Sequence, residues 1–222
     1  MMVEYPEPTW TTSYRVCEPF LAANTPRTPS IVAAGILSIL RNHFGSAERI
    51  MDRRLSDHLW HPDRNRCTLL IEPSATYTAD IAGNRPSAIV DSGDLNVNSM
   101  SIGNRITPHV DADGVFRGTD KLFNLGGNIK IFVLAPKAIQ TQIIAEELAL
   151  NIAIFNQEYA DSLALSGLSL IGIDGTRTHS EEQGGSVRGY ITAVNIRWTA
   201  VQSWTVATRG PLLRRGGMVL PF

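Results

Sequence analysis

The densest set of side chains able to do chemistry lies between Asp57 and Cys67, where Asp57, His58, His61, Asp63 and Cys67 fall within eleven positions. Imidazole, thiolate and carboxylate are the groups zinc takes, and on a helix His58 and His61 would stand three apart on one face. A zinc site needs a third and usually a fourth ligand in place, and Pro62 interrupts any helix between His61 and Cys67. The cluster therefore reads as a polar helix end with solvated histidines. A second set, His109, Asp111 and Asp113 in HVDADG, resembles a metal loop. A calcium loop requires glutamate at its twelfth position, and counting from Asp111 that position is Leu122. Asp113-Gly114 reads instead as a turn. His179, Glu181 and Glu182 in THSEEQGG have no base or nucleophile paired with them and read as a hairpin loop. No Walker phosphate loop, no G-x-G-x-x-G after a strand and no G-x-S-x-G elbow occurs. No catalytic residue, cofactor or metal is expected, and the chain does not read as an enzyme.

The elements that would carry any site are clearest from Gly127 to Val206. GNIKIFVLA reads as a strand. Pro136 stands where a helix begins, since its missing N–H would be unpaired there. Ile144, Leu148, Ile152, Phe155, Tyr159 and Leu163 then recur at intervals of three and four, an apolar stripe down one long helix through Leu165. Leu168 to Thr178 and Tyr190 to Val206 follow as a hairpin. In the last strand Val194, Ile196, Trp198 and Ala200 alternate with Asn195, Arg197 and Thr199, which predicts one buried face and one open face.

Upstream, five prolines among polar residues make residues 1–29 an extended arm, with a short strand around Tyr14 to Cys17. Ser30 is placed to cap a helix through Phe44, stopped by Gly45, and Ser46 to cap a second one as far as Trp60. Cys67 to Pro73 reads as a strand. The stretch 74–126 is broken every few residues by glycine or proline, with short strands at Ser87 to Asp91 and Leu95 to Ile102, and reads as a hairpin-rich insertion. Residues 207–222 form a C-terminal extension too apolar to float freely, expected to dock on an adjacent subunit or a partner ring. The fold class is α+β: a mixed, mostly antiparallel sheet with a long helix packed on one face.

The 222 residues suit one large domain, 30–206, with these extensions. A net charge of −1 draws the chain to neither nucleic acid nor membrane, and no apolar run approaches the ~18 residues of a span. The acidic, proline-bearing N-terminus is unlike a signal peptide, so synthesis in the cytoplasm is expected, and Cys17 and Cys67 read as free thiols. The even total hides an asymmetry. Between Glu146 and Glu182 the acids, Glu146 and Glu147 first, meet the single basic residue Arg177; from Gly184 onward there is no acid, while Arg188, Arg197, Arg209, Arg214 and Arg215 are present. These are either solvated faces that differ or a basic surface made to meet an acidic one in a head-to-tail contact. In the second case Arg197, Arg209, Arg214 and Arg215 on one side and Glu146 and Glu147 on the other form the interface.

This order of elements, carried by Ile129 to Ala135, Pro136 to Leu165, Leu168 to Thr178 and Tyr190 to Val206, resembles the tail-terminator and related neck proteins of long-tailed bacteriophages. The resemblance covers about a third of the chain and carries no signature motif. It implies a structural virion protein, assembled in the host cytoplasm as a homo-oligomeric ring, typically a hexamer. Such a ring caps the tail tube and joins it to the head connector or stopper protein, and DNA passes through its lumen without specific binding, past a face such as that of Asn195 and Arg197. A head-completion or stopper protein is the neighbouring reading. From other classes stand a small metal-dependent hydrolase using Asp57, His58 and His61, and a cytosolic binding module with its ligand among the loops of 74–126.

Overall fold

The computed structural model describes residues 27–78, 84–99, 107–110, 116–180 and 188–207. The arm with its strand at Tyr14 to Cys17 and the extension from residue 208 onward lie outside the described residues. Helix α1 (Pro29–His43) starts one residue before the expected cap: the Thr28 hydroxyl accepts from Ile31 N–H at 3.4 Å, and Pro29 takes the first helical position. It ends beside Gly45, as expected. The second helix does not form. Ser46 does cap, but only a single 3₁₀ turn, Ala47–Arg49, followed by another at Arg53–Leu55.

Among the described residues eight strands make one mixed sheet: β1 (Leu70–Pro73), β2 (Ser87–Asp91), β3 (Leu95–Ser99), β4 (Thr107–Val110), β5 (Phe116–Ala135), β6 (Gly167–Ile173), β7 (Arg177–Ser180) and β8 (Arg188–Ala207). The architecture is α+β. Strands β5 and β8 are each twenty residues long and pair antiparallel from Gly118↔Ala207 to Ala135↔Tyr190. On the free side of β5 lie β2, β3 and β4 in succession; on the free side of β8 lie β6 and then β7. Among the described residues the only parallel pair is β1 with β2. The stretch 74–126 is thus partly built into the main sheet, because β2 is an interior strand, while β3 and β4 extend it along β5. Strands β6 and β7 both pair antiparallel with β8, so the expected hairpin of Leu168 to Thr178 with Tyr190 to Val206 forms, its first arm divided in two. They line the same edge of β8 one after the other, with a bulge between Leu170 and Gly172.

Alternation along β8 matches its reading: Val194, Ile196, Trp198 and Ala200 are fully buried while Arg197 is exposed. Their register partners Ile131, Ile129, Gly127 and Leu125 put the odd residues of β5 on the same face. There they join one core with Ile36 and Leu40 of α1 and with Ile144, Leu148 and Ile152 of the next helix. Trp198 requires its glycine partner, since a Cβ on Gly127 would meet the indole Nε1 at 2.9 Å and the Asp94 carbonyl closer still.

The long helix is two. Helix α2 (Ala138–Ile154) stops at Phe155, and α3 (Asn156–Ser162) leaves at 71°. A one-residue break keeps the three-and-four spacing intact, which is why the periodicity ran through it. The bend carries Ala160 and Leu163 back to the core, both 1% exposed. Helix α3 closes with Leu165 N–H donating to Ala160 O at 2.8 Å and Ala164 N–H to Asp161 O at 3.1 Å. That double closure places Ala164 in the left-handed region, φ 49°, where an alanine is strained and glycine is not. Ala164→Gly should therefore stabilise the protein by about 1 kcal/mol in urea unfolding; an unchanged or lower midpoint would show the strain to be absent.

Candidate functional site

The chemistry-bearing cluster of the sequence is dispersed by the fold. His58 and His61 lie on no helix. The Gln140 side-chain amide lies 2.6 Å from His58 Nε2, and His61 Nδ1 accepts from Asp63 N–H at 2.9 Å. Asp57 contributes its carbonyl to the Thr68 hydroxyl at 2.6 Å, and the buried Cys67 thiol donates to Leu69 O at 2.7 Å. Among the described residues no three His, Cys, Asp or Glu side chains are grouped to hold a metal. His109 lies in β4 and His179 in β7, while Asp111, Asp113, Glu181 and Glu182 fall outside the described residues.

A different constellation, unseen in the sequence, sits in the core. His43 at the end of α1 is 2% exposed, and its Nε2 lies 2.8 Å from Glu147 Oε1 on α2. Its Nδ1 is 3.0 Å from Asn151 Nδ2, one helical turn further along α2, and Asn151 Oδ1 accepts from the Tyr159 hydroxyl at 2.8 Å. With Asn151 donating to Nδ1, the imidazole carries its proton on Nε2 and donates it to the carboxylate. The other donors to Glu147 are backbone: Met51 N–H at 2.8 Å and Asp52 N–H at 3.0 Å. Here is the physical reason for the missing second helix. The N–H groups that would close its turns are drawn to a buried carboxylate, and a buried charge without donors would cost several kcal/mol. Both ring nitrogens of His43 are spent and the group is closed to solvent, so what the arrangement does is fasten α1, the 47–55 turns, α2 and α3 together.

Glu147, expected at an interface, is 2% exposed, and its carboxylate is engaged by His43, Met51 and Asp52 of its own chain. Its neighbour Glu146 stays partly exposed, accepting from Gln142 at 2.9 Å. Arg197 is exposed on the sheet face opposite the core and has no ion pair among the described residues. Around it the register gathers Asn128 and Ser169, with Lys130 and Asn195 in the next row, a flat polar face. Arg209, Arg214 and Arg215 lie outside the described residues. Beside α1 a groove of about 710 Å³ is lined by Leu37, Ser38, Arg41, Asn42, Arg49 and Trp60. Its cations are already engaged: Arg41 stacks 5.2 Å over Trp60 and pairs with Glu72 at 3.2 Å, and Arg49 donates to Asn42.

Exposed large apolar side chains on the sheet are Leu95 and Val97 of β3, Ile171 and Ile173 of β6, and Val201 of β8; off it are Met51 and, on α2, Ile139, Leu150 and Ile154. No family model matches the chain, and comparison with curated proteins gave no match.

The core network carries a pH signature. Burial pushes the Glu147 carboxyl up, but hydrogen bonds from His43, Met51 and Asp52 outweigh it and hold it below the ordinary carboxylate value. A folded-state value below the unfolded one, about 4.3, gives stability that is present above that pH and is lost as pH falls through the lower folded value. Glu147→Gln should cost about 2–4 kcal/mol at neutral pH and flatten the loss of stability below about pH 4.3. Urea unfolding at pH 7 and pH 4 measures both; parallel curves for the two proteins would remove the carboxylate from this role.

Proposed function

We propose that the chain is a structural subunit of the neck of a long-tailed bacteriophage, a tail terminator. It forms a ring that caps the tail tube and joins it to the head connector or stopper protein, with DNA passing through the lumen. The observation that carries this reading is the β5–β8 ribbon. Twenty residues of strand span about 65 Å at ~3.3 Å per residue. A compact body of 222 residues is only about 45 Å across, from a radius of gyration near 17 Å. The helices contribute their core residues against Leu125 to Val133 and Val194 to Ala200, and a ribbon of that length extends beyond the width of such a body. A lone folded domain gains little from such an extension; a subunit that must reach its neighbours gains an interface. The dispersal of His58, His61 and Asp57 supports the same reading over a metal-dependent hydrolase.

The flat polar face around Arg197 and Lys130 suits a wall along which DNA moves, because scattered phosphate contacts hold weakly and without sequence preference. Arg197 and the acids Glu146, Glu158 and Asp161 belong to different layers, the open sheet face and the helices. That separation suits a head-to-tail contact, in which one surface of a copy meets a different surface of the next.

Light scattering of the purified protein, alone and with the purified tail-tube subunit, should give a defined ring-sized mass in at least one condition. A single-chain mass in both would overturn the proposal. Arg197→Glu should weaken assembly about fivefold, with the loss growing at low salt; assembly equal to the parent protein at low and high salt would take Arg197 out of the interface.

A further inference from the structure

An edge strand offers a row of unpaired N–H and C=O groups, and folded proteins blunt such edges with charge, proline or a bulge. Most edges here are treated that way. Strand β1 carries Glu72 and Pro73, β4 carries Pro108 and a bulge at His109/Val110, β6 is bulged beyond Leu170, and β7 carries Arg177. Two are not. Strand β3, Leu-Asn-Val-Asn-Ser, and the last seven residues of β8, Val201 to Ala207, contain no charge, no proline and no register shift. Among the described residues β3 pairs only with β5, and β8 beyond Thr199 pairs only with β5.

The direction of their backbone groups follows from the ladder. Thr199 O accepts from Ser166 N–H at 2.8 Å, on the side away from β5. In an antiparallel pair a residue's N–H and C=O point the same way and alternate along the strand. Val201, Ser203, Thr205 and Ala207 therefore aim their backbone groups outward, while Ala200, Gln202, Trp204 and Val206 bond to β5. Their partners on β5 are the odd residues Leu125, Phe123, Lys121 and Thr119, which leaves Asn124 and Gly126 to bond β3 through Asn98 and Asn96. Leu95, Val97 and Ser99 thus aim their backbone groups away from the sheet. Leu95 is 44% exposed and Val97 50%, as a free edge requires.

We infer that these two edges join: β3 of one copy pairs with the Val201–Ala207 edge of the next, and the sheet continues from subunit to subunit. The occupant is a second copy of this chain because the two edges lie on opposite sides of the same ribbon and overlap where Asn124 pairs with both Asn98 and Val201 and Phe123 with both Ser99 and Gln202. Both strands run antiparallel to β5 and so parallel to each other, and copies stacked in one orientation bring them together as a parallel pair. One edge meets a different edge, so the contact is heterologous and closes into a ring when the rotation allows. The inference rests on the ring-forming reading and names the strands that make the ring.

Proline at an outward-facing position removes one edge donor and leaves the β5 ladder untouched. Val97→Pro and Ser203→Pro should each reduce assembly at least tenfold, leaving single chains that melt near the parent temperature. Mixed together they should form a one-to-one pair that grows no further, since each retains the edge the other lacks. Assembly of both variants at the parent level overturns the edge pairing and leaves the ring reading standing. A drop in melting temperature of Ser203→Pro without change in mass shows the edge to be closed within one subunit by residues 1–26, and also overturns it. Should either variant fail to fold, Val97→Cys with Ser203→Cys in the full chain replaces them. A disulfide-linked ladder of copies supports the pairing, and a ring-sized protein with no ladder overturns it. A parent protein that is single-chain at every concentration, alone and with the tail-tube subunit, and gives no ladder overturns the ring reading with it.

Discussion

The antiparallel ladder between β5 and β8 is the constraint on which the rest of the structure depends. Eighteen register pairs join the two strands, and every other strand except β1 is hydrogen-bonded to one or the other. They are separated in sequence by two helices and two further strands, so the ladder closes a long loop before its bonds form. What offsets that cost is burial at one end. Gly127 opposite Trp198, Ile129 opposite Ile196 and Ile131 opposite Val194 are all at or near zero exposure beneath α1 and α2. The other end, from Gly118 to Asn124, continues the same backbone pairing, and Phe123 packs against the core there.

Those two halves explain what the sequence shows and what it hides. Alternation from Val194 to Ala200 was legible because one face is buried and the other is open, and a period of two is the direct imprint of that difference. The same asymmetry is missing from FRGTDKLFN, so the strand's true start at Phe116 was not visible, and the reading began it near Gly127. Short strands at Ser87 and Leu95 were readable from their flanking turns; Gly93, at φ 56°, forms one of those turns. Strand neighbours were not, since pairing belongs to residues tens of positions apart.

The core network was hidden for a different reason. Glu146-Glu147 reads as an acidic surface, and the same pair of letters would serve on any solvated helix. The signal lay in the phase: Ile144, Leu148 and Ile152 define the buried stripe, and Glu147 and Asn151, four apart, fall inside it. A carboxylate and an amide at core phase demand donors, and the nearest helix end supplies His43 while the 47–55 turns supply two backbone N–H groups. Helical propensity in AERIMDRRLSDHLW therefore loses to a tertiary requirement several kcal/mol larger than any per-residue preference.

In the proposed ring-forming reading the two features divide the labour of the subunit. His43, Glu147, Asn151 and Tyr159 hold the helices in one arrangement, and a fully satisfied polar network specifies a unique core where apolar contacts alone would tolerate several. That rigidity is what makes open edges tolerable. A flexible protein with uncharged edges at β3 and the end of β8 would sample many pairings and aggregate. In a rigid one each edge is presented at a single angle and height, and only a partner of matching geometry can pair with more than one or two residues. Bulges, prolines and charges on β1, β4, β6 and β7 then act by exclusion, closing the competing edges and leaving two. Among the described residues the sheet is guarded on most of its perimeter and carries no charge, proline or register shift at β3 and the end of β8, which suits the proposed contact with one neighbour on each side.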